Sequence, residues 1–241
     1  MFYFLVMPVL TWHVILIVAA VIPAVFLMIK VYQSDRLEKE SPYLLWDLMK
    51  VGIFSSLVAL VSERILSFIL DLIVPVDSGI YDVILYFIVV ACSEEGAKYF
   101  FLKRETWKGN PEFNCQYDGV VYATFVSLGF ALWENISYVL SYGFATAVVR
   151  AVTAIPGHAC FGVFMGVFYG IAKKYERAND TGNSQIFRVA AVIVPVLLHG
   201  AYDYIASQED LGSALFIVFV VVLFGVSYYL VGKTSQNDKY I

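Results

Sequence analysis

Ionisable side chains occur inside long apolar stretches of this sequence, where they are costly and therefore informative. Glu94, Glu95 and Lys98 follow one apolar run, and His199 and Asp203 lie in another. A charged side chain at the centre of a membrane helix costs roughly 2.5–3.5 kcal/mol on insertion scales. Such residues are retained where they pair, exchange protons or hold an ion, and each of these is a sign of a functional site.

The complete set has ten polar residues, and their charges do not balance. They are Glu63, Arg64, Glu94, Glu95, Lys98, Glu134, Asn135, His158, His199 and Asp203. The nominal insertion cost of the charged members is on the order of 20 kcal/mol, which exceeds the net stability of about 5–15 kcal/mol of a folded domain. Glu63 and Arg64 are predicted to form a structural pair. The remaining excess of carboxylates predicts protonation, a charged histidine or a bound cation.

Helical spacing brings several of these groups onto shared faces. Glu94 and Glu95 precede Lys98 by four and three residues, so both carboxylates can reach the same ammonium. His199 and Asp203 are also four residues apart, and a carboxylate one turn away can orient an imidazole. Two helices are therefore predicted to contribute paired groups to one site.

A stripe of glycines follows His158 at helical spacing. Gly162, Gly166 and Gly170 form a doubled GxxxG pattern, which lets two membrane helices approach closely. The glycines are predicted to serve in packing. His158, at the end of the stripe, is predicted to lie at a tight helix contact.

Carboxylates and histidines around trapped water suit the hydrolysis of a peptide bond. Glu94 or Glu95 is predicted to activate water together with His158. Lys98 is predicted to balance their charge. Asn135 is predicted to help stabilise the oxyanion. His199, Asp203 and Glu134 are predicted to stabilise the transition state.

The sequence leaves open whether this chemistry uses a metal. If it does, Zn²⁺ is the expected cofactor and His158, His199 and Glu134 are the predicted ligands, since three protein ligands and water form a catalytic zinc site. If it does not, no cofactor is expected. The chain has no His-Glu-x-x-His and no Gly-x-Ser-x-Gly motif, so neither motif selects a mechanism.

The composition predicts a membrane protein. Of the 241 residues 60% are apolar and 15% are charged, whereas soluble domains have roughly 45–50% and 25%. A formal net charge of −4 argues against nucleic acid as a partner. The lipid bilayer is the expected environment, with the chain crossing the cell membrane several times.

Seven apolar stretches are each long enough to span a bilayer as a helix. They cover about 10–31, 51–73, 80–102, 118–140, 149–172, 186–206 and 211–232, with a tight turn around Gln208–Asp210 before the last. We therefore expect an all-α transmembrane bundle that forms one integral membrane domain over 1–241. Alternate loops and flanks carry thirteen Lys and Arg residues and the others carry only Arg150, which predicts an outside N-terminus and an inside C-terminus.

Four short motifs occur in a fixed order. Glu94-Glu95-Gly96-Ala97-Lys98 matches EExxK, Phe130 to Glu134 with Asn135 matches FxxxEN, His158 follows, and His199 to Asp203 matches HxxxD. In order and spacing they resemble the PrsW family of intramembrane peptidases, over residues 80–206. The related CAAX-processing and bacteriocin-immunity membrane proteases have EExxxR, FxxxH and HxxxN or HxxxB, so Glu134 stands where they carry a histidine.

The resemblance implies an endopeptidase that acts on a membrane-anchored protein. It implies the first cut in an anti-sigma factor or a similar single-pass substrate, at or near the outer face of the membrane. A proton- or ion-coupled transporter or channel is the alternative, because buried acids and histidines also mark ion pathways. A noncatalytic immunity or chaperone role is a third reading. The sequence predicts no oligomeric state.

Overall fold

Helices account for most of the computed structural model, which describes residues 2–208 and 212–241, with side chains for 11–208 and 214–241. The elements are α1 Phe2–Ser34, α2 Pro42–Ile73, α3 Tyr81–Val83, a π-helical segment Ile84–Ala91, α4 Cys92–Thr106, α5 Asp118–Tyr142, α6 Phe144–Val152, α7 Ala154–Arg177, α8 Thr181–Ala206 and α9 Gly212–Gln236. Within these residues the one β-type pairing is an isolated antiparallel bridge between Cys115 and Tyr240. The predicted all-α class is confirmed.

Among the described residues, six helical segments are long and apolar enough to cross a membrane. They are Thr11–Ser34, Pro42–Ile73, Asp118–Tyr142, Phe144–Arg177, Thr181–Ala206 and Ala214–Gln236. The predicted span at 80–102 is helical but divided by the π-helical segment, and α4 holds six charged residues. The multi-pass bundle is confirmed, whereas the predicted orientation remains a prediction, because six spans would place both termini on one side. Of the predicted turn around 208–210, residues 209–211 lie outside the described residues.

Helix α5 is the central element of the bundle. All of its residues from 118 to 132 are buried, and it packs against α7, α2 and α1. Large apolar side chains are exposed instead on the peripheral helices, for example Val61 of α2 and Val221 of α9. An apolar exterior is what a helix bundle presents to lipid, so α5 positions the polar residues that point inward.

Helices α5 and α7 approach through glycine, as the GxxxG pattern predicts. A Cβ atom at Gly166 would lie 2.4 Å from the backbone oxygen of Gly119 and from Cα of Val120. About two turns along, Ser127 donates a hydrogen bond of 2.6 Å to the backbone oxygen of His158. The close contact therefore holds His158 against the helix that carries Glu134.

Helix α8 packs closely on the π-helical segment. A Cβ atom at Gly200 would lie 2.5 Å from Cδ1 and 3.0 Å from Cα of Phe87. Short π-helical segments are frequent at functional sites, where they shift the face that a helix presents. Here the segment leads into α4, so the first turn of α4 lies beside the end of α8 that carries His199 and Asp203.

Gly166→Ala is expected to destabilise the bundle by about 1–3 kcal/mol, because an added methyl group meets backbone atoms that cannot move aside. The measurement is the free energy of unfolding in detergent micelles. Gly225→Ala on α9 is the matched control, since its Cβ would meet no atom within 4 Å. Equal stability of the two variants would show that the α5–α7 contact is loose.

Candidate active site

The ammonium of Lys98 lies at the centre of the predicted residues. Its side chain is fully buried, and Nζ donates to Glu95 Oε1 at 2.7 Å and to Glu94 Oε2 at 3.2 Å. Nζ also lies 3.1 Å from His158 Nδ1 and 4.0 Å from the ring centre of Phe130. The three ammonium protons thus face three acceptors, with an aromatic ring alongside.

His199 connects α4 to α8. Its Nδ1 lies 2.9 Å from Glu95 Oε1, and its Nε2 lies 3.3 Å from Asp203 Oδ2. The imidazole stacks on the ring of Phe161 at a centroid distance of 4.7 Å. Because carboxylates accept hydrogen bonds and do not donate them, both nitrogens donate when both acids are ionised, and His199 is then an imidazolium.

Glu134 joins the same network from α5. Its Oε2 lies 2.8 Å from His158 Nε2 and accepts a hydrogen bond of 2.8 Å from Arg150 Nη2. The rings of His158 and His199 are 5.4 Å apart, centre to centre, and nearly perpendicular. The structure therefore brings together seven of the eight predicted residues, namely Glu94, Glu95, Lys98, Glu134, His158, His199 and Asp203.

Asn135, the eighth predicted residue, lies behind the site. Its Nδ2 donates to the backbone oxygen of Ala20 at 2.8 Å, and its Oδ1 accepts from Arg150 Nε at 2.9 Å. The side chain is fully buried, and both of its polar atoms are engaged. In this arrangement Asn135 positions Arg150 and is not free to bind an oxyanion.

Two functional positions were not recognised from the sequence. Arg150, in the short helix α6, binds Glu134 and Asn135. It is the one basic residue in the loops predicted to lie outside, and this isolation could have identified it from the sequence.

The predicted Glu63–Arg64 pair is wrong, because none of the ion pairs within 4.0 Å among the described residues includes Glu63. Adjacent residues of a helix point in different directions, and Glu63 faces the cavity described next.

A cavity of about 550 Å³ lies against this network. Its ionisable lining residues are Glu63, Glu94, Glu134, Arg150, His158 and Asp203, and Tyr86, Trp133, Tyr138, Phe161 and Tyr202 add aromatic walls. Four of these six ionisable residues are carboxylates and one is a permanent cation, so the cavity is predominantly acidic. Glu95, Lys98 and His199 do not line the cavity. Of the two neighbouring glutamates, Glu94 is therefore the outer one, at the cavity, and Glu95 is the inner one, behind it.

The donor types in the network are those that zinc uses. One ligand atom each from Glu94, Glu95 and His158 lie within 4.8 Å of one another, and nitrogen and carboxylate oxygen are usual zinc ligands at about 2.0–2.2 Å. However, Lys98 Nζ already lies 2.7–3.2 Å from an atom of each residue. As arranged, these residues do not fit a metal ion together with a charged Lys98.

The predicted zinc ligands are a different set. His158, His199 and Glu134 are not among the groups of the described residues whose ligand atoms lie within 4.8 Å of one another. His158 and His199 are each engaged at both ring nitrogens, so a shared ion would require new side-chain orientations. This ligand set remains a prediction.

A bundle of membrane-spanning helices around a cavity lined by carboxylates and a histidine has the groups that an intramembrane hydrolase needs. Residues 40–229 match the family described as PrsW family intramembrane metalloprotease. The chain therefore belongs to the PrsW family of intramembrane proteases, as the motifs predicted, and it is a peptidase. It is a multi-pass membrane enzyme, and its substrate is a protein.

Named relatives agree with the family. Protease PrsW of Oceanobacillus iheyensis is 30% identical over 222 residues, which is 91% of this chain and 95% of the relative. Protease PrsW of Clostridioides difficile is 29% identical over 231 residues, 93% of each chain. Protease PrsW of Halalkalibacterium halodurans is 35% identical over 154 residues, 64% of this chain and 69% of the relative. No solved structure matches the chain.

A cysteine in the cavity is expected to react with a charged, membrane-impermeant thiol reagent. Ala154 lines the cavity, so Ala154→Cys, in a chain whose three native cysteines are replaced by alanine, should be modified, because water there can ionise the thiol. Val221→Cys, on the exposed apolar surface of α9, should resist modification, since a thiol in lipid stays protonated. Equal modification of both positions would contradict a hydrated cavity, and the side from which the reagent acts tests the predicted orientation.

Proposed function

We propose that this peptidase cuts a membrane-anchored protein in the acidic cavity, with Glu94 as the base that activates water. The observation that supports this choice is the different exposure of the two neighbouring glutamates. Glu94 lines the cavity, whereas the side chain of Glu95 is fully buried and committed to Lys98 and His199. Only the outer glutamate of this pair can contact a substrate in the described arrangement.

The inner residues act as positioning residues. Lys98 forms ion pairs with both Glu94 and Glu95. Glu95 also contacts Nδ1 of His199, and Nε2 of His199 faces Asp203. Such a buried, hydrogen-bonded support keeps a reacting carboxylate in one orientation. In this proposal Glu95, Lys98, His199 and Asp203 act through Glu94 and the cavity wall and do not touch the scissile bond.

The reaction follows from the groups that line the cavity. Glu94 takes a proton from water as the water oxygen bonds to the carbonyl carbon of the substrate. The oxyanion that forms is stabilised by Arg150, whose guanidinium has five N–H donors, of which Nε and Nη2 bind Asn135 and Glu134. Glu94 then returns the proton to the amide nitrogen as the C–N bond breaks, which yields an amine and a carboxylic acid.

His158 has a separate part in this scheme. With Nδ1 accepting from Lys98, its Nε2 carries the proton and donates to Glu134. The neutral imidazole therefore orients Glu134, and Glu134 orients Arg150. In this scheme Arg150 stabilises the transition state, and Glu134 contributes by positioning Arg150.

The substrate that we propose is a single-pass protein, and the cut is the first one in an anti-sigma factor or a similar membrane-anchored regulator. The family resemblance supports the substrate class. The cavity supports access, because Trp133 and Tyr138 both line it and each is 42% exposed. An extended peptide can enter between helices along these aromatic residues.

Glu94→Gln is expected to lower the single-turnover rate of cleavage by about 10²–10⁴-fold, because general-base catalysis contributes a factor of this size. The assay uses purified protein in liposomes with a fluorogenic single-pass substrate, and photocrosslinking checks that the substrate still binds. Glu105→Gln is the matched control, since Glu105 lies on the same helix and is solvent-exposed. Glu95→Gln should also lower the rate.

A near-normal rate for Glu94→Gln would contradict the assignment of the base. Ion flux through the same liposomes without cleavage would instead favour the transporter alternative. Cleavage that requires added Zn²⁺ would show that the enzyme works in its metal-bound form, in which the ion polarises the carbonyl and acidifies water.

Lys98→Met is expected to raise the affinity for Zn²⁺ at least tenfold over the unsubstituted chain, because the ammonium no longer competes for Glu94, Glu95 and His158. The metal-free variant should unfold at a lower temperature than the unsubstituted chain, since two buried carboxylates lose their cation, and Zn²⁺ should restore the loss. Zinc content after equilibrium dialysis and the unfolding temperature are the measurements. Equal zinc affinity of both proteins would show that Lys98 does not occupy the metal position.

A further inference from the structure

A second acidic cluster lies far from the cavity. Asp35 follows α1, Glu40 precedes α2 and Asp118 begins α5. Their exposed fractions are 4%, 2% and 0%, and one carboxylate oxygen of each lies within 4.8 Å of the others. Asp118 is sixteen residues before Glu134 on the same helix, which is about 24 Å along the axis. The cluster is therefore separate from the active site.

The free oxygens of this cluster are poorly satisfied, since their nearest polar neighbours are the backbone of Leu37 for Asp35 and, for Glu40 and Asp118, each other. Both carboxylate oxygens of Asp35, Oε1 of Glu40 and Oδ1 of Asp118 are buried without a partner. The opposite oxygens of the latter two are held in place, since Tyr122 donates to Glu40 Oε2 at 2.8 Å and the backbone of Cys115 donates to Asp118 Oδ2 at 2.6 Å. Buried carboxylates without partners carry a large desolvation cost.

No cationic side chain of the described residues forms a direct ion pair with the cluster. Within the described residues, the ion pairs closer than 4.0 Å include neither Asp35, Glu40 nor Asp118. Lys39 is close in sequence, but its ammonium donates to the backbone oxygens of Tyr32 and Asp35, at 2.5 Å each. The one nearby ammonium is thus held by backbone oxygens, although its charge still lowers the pKa of Asp35, and three buried carboxylates share at most this one positive charge.

Additional oxygens lie next to the cluster. Asn114, whose backbone also donates to Asp118, has a buried Oδ1 without a partner, and Oδ2 of Asp238 is in the same state. Asp238 Oδ1 accepts from the backbone of Tyr117. Burial raises the pKa of Asp35 to about 6, and burial with the neighbouring Asp118 raises the pKa of Glu40 to about 9. Both directions reflect the cost of burying these negative charges close to one another.

We propose that Asp35, Glu40 and Asp118 bind one hard divalent cation of the Mg²⁺, Mn²⁺ and Ca²⁺ class. The donor set consists of oxygen atoms, which these ions prefer, whereas zinc favours sites with nitrogen or sulfur. The ion joins the α1–α2 connection to the start of α5. It therefore fixes the end of the bundle opposite the cavity and takes no part in peptide hydrolysis.

The first test measures Mn²⁺ bound to the purified full-length chain in detergent by electron paramagnetic resonance. His158→Ala provides the background in which the active-site group of Glu94, Glu95 and His158 lacks its imidazole ligand. In that background, Asp35→Asn and Glu40→Gln should each weaken Mn²⁺ binding at least tenfold. Asp47→Asn is the matched control, because Asp47 is an exposed carboxylate paired with Lys50, and it should leave binding unchanged.

The second test uses the unfolding temperature. Mg²⁺ or Ca²⁺ should raise it in the unsubstituted chain and in Asp47→Asn, but not in Asp35→Asn. In a chelator, Asp35→Asn should unfold at or above the temperature of the unsubstituted chain, since one repelling charge is gone. The inference is overturned if the unsubstituted chain binds no Mn²⁺, if the cluster variants bind it equally well, or if Asp35→Asn is the less stable protein in a chelator.

Discussion

The polar centre of this membrane protein depends on the buried ammonium of Lys98. It donates to Glu94 and Glu95 on its own helix and faces His158 on another, so three N–H groups meet three acceptors. Breaking a buried charge network by removing one partner typically costs about 3–5 kcal/mol, because the remaining charges stay buried. One side chain thus sets the relative position of α4 and α7 and determines the charge of the wall behind the cavity.

Much of this arrangement could be predicted from the sequence. Membrane helices must be long and apolar, and charged residues within them must meet, so the helical class and a shared polar site follow from composition and spacing. The pairs within one helix, such as Glu95 with Lys98 and His199 with Asp203, are also observed as predicted. These features depend on local geometry, which the chain itself determines.

Contacts between helices could not be predicted in the same way, because they depend on the rotation and depth of each helix. Adjacent residues on a helix point about 100° apart, so the pairing of Glu63 with Arg64 failed, and the choice between Glu94 and Glu95 required the packed structure. Arg150 was missed for a related reason, since the break at Gly143 turns the chain back toward Glu134.

The EExxK helix has a consequence for biosynthesis. Because Lys98 offsets one of the two charges of Glu94 and Glu95 within a single helix, this part of the polar centre can form before its partners have been synthesised. His199, by contrast, is made 104 residues after Glu95, and chains grow from the N-terminus. A nascent chain therefore stays without its complete polar centre until α8 has emerged from the ribosome.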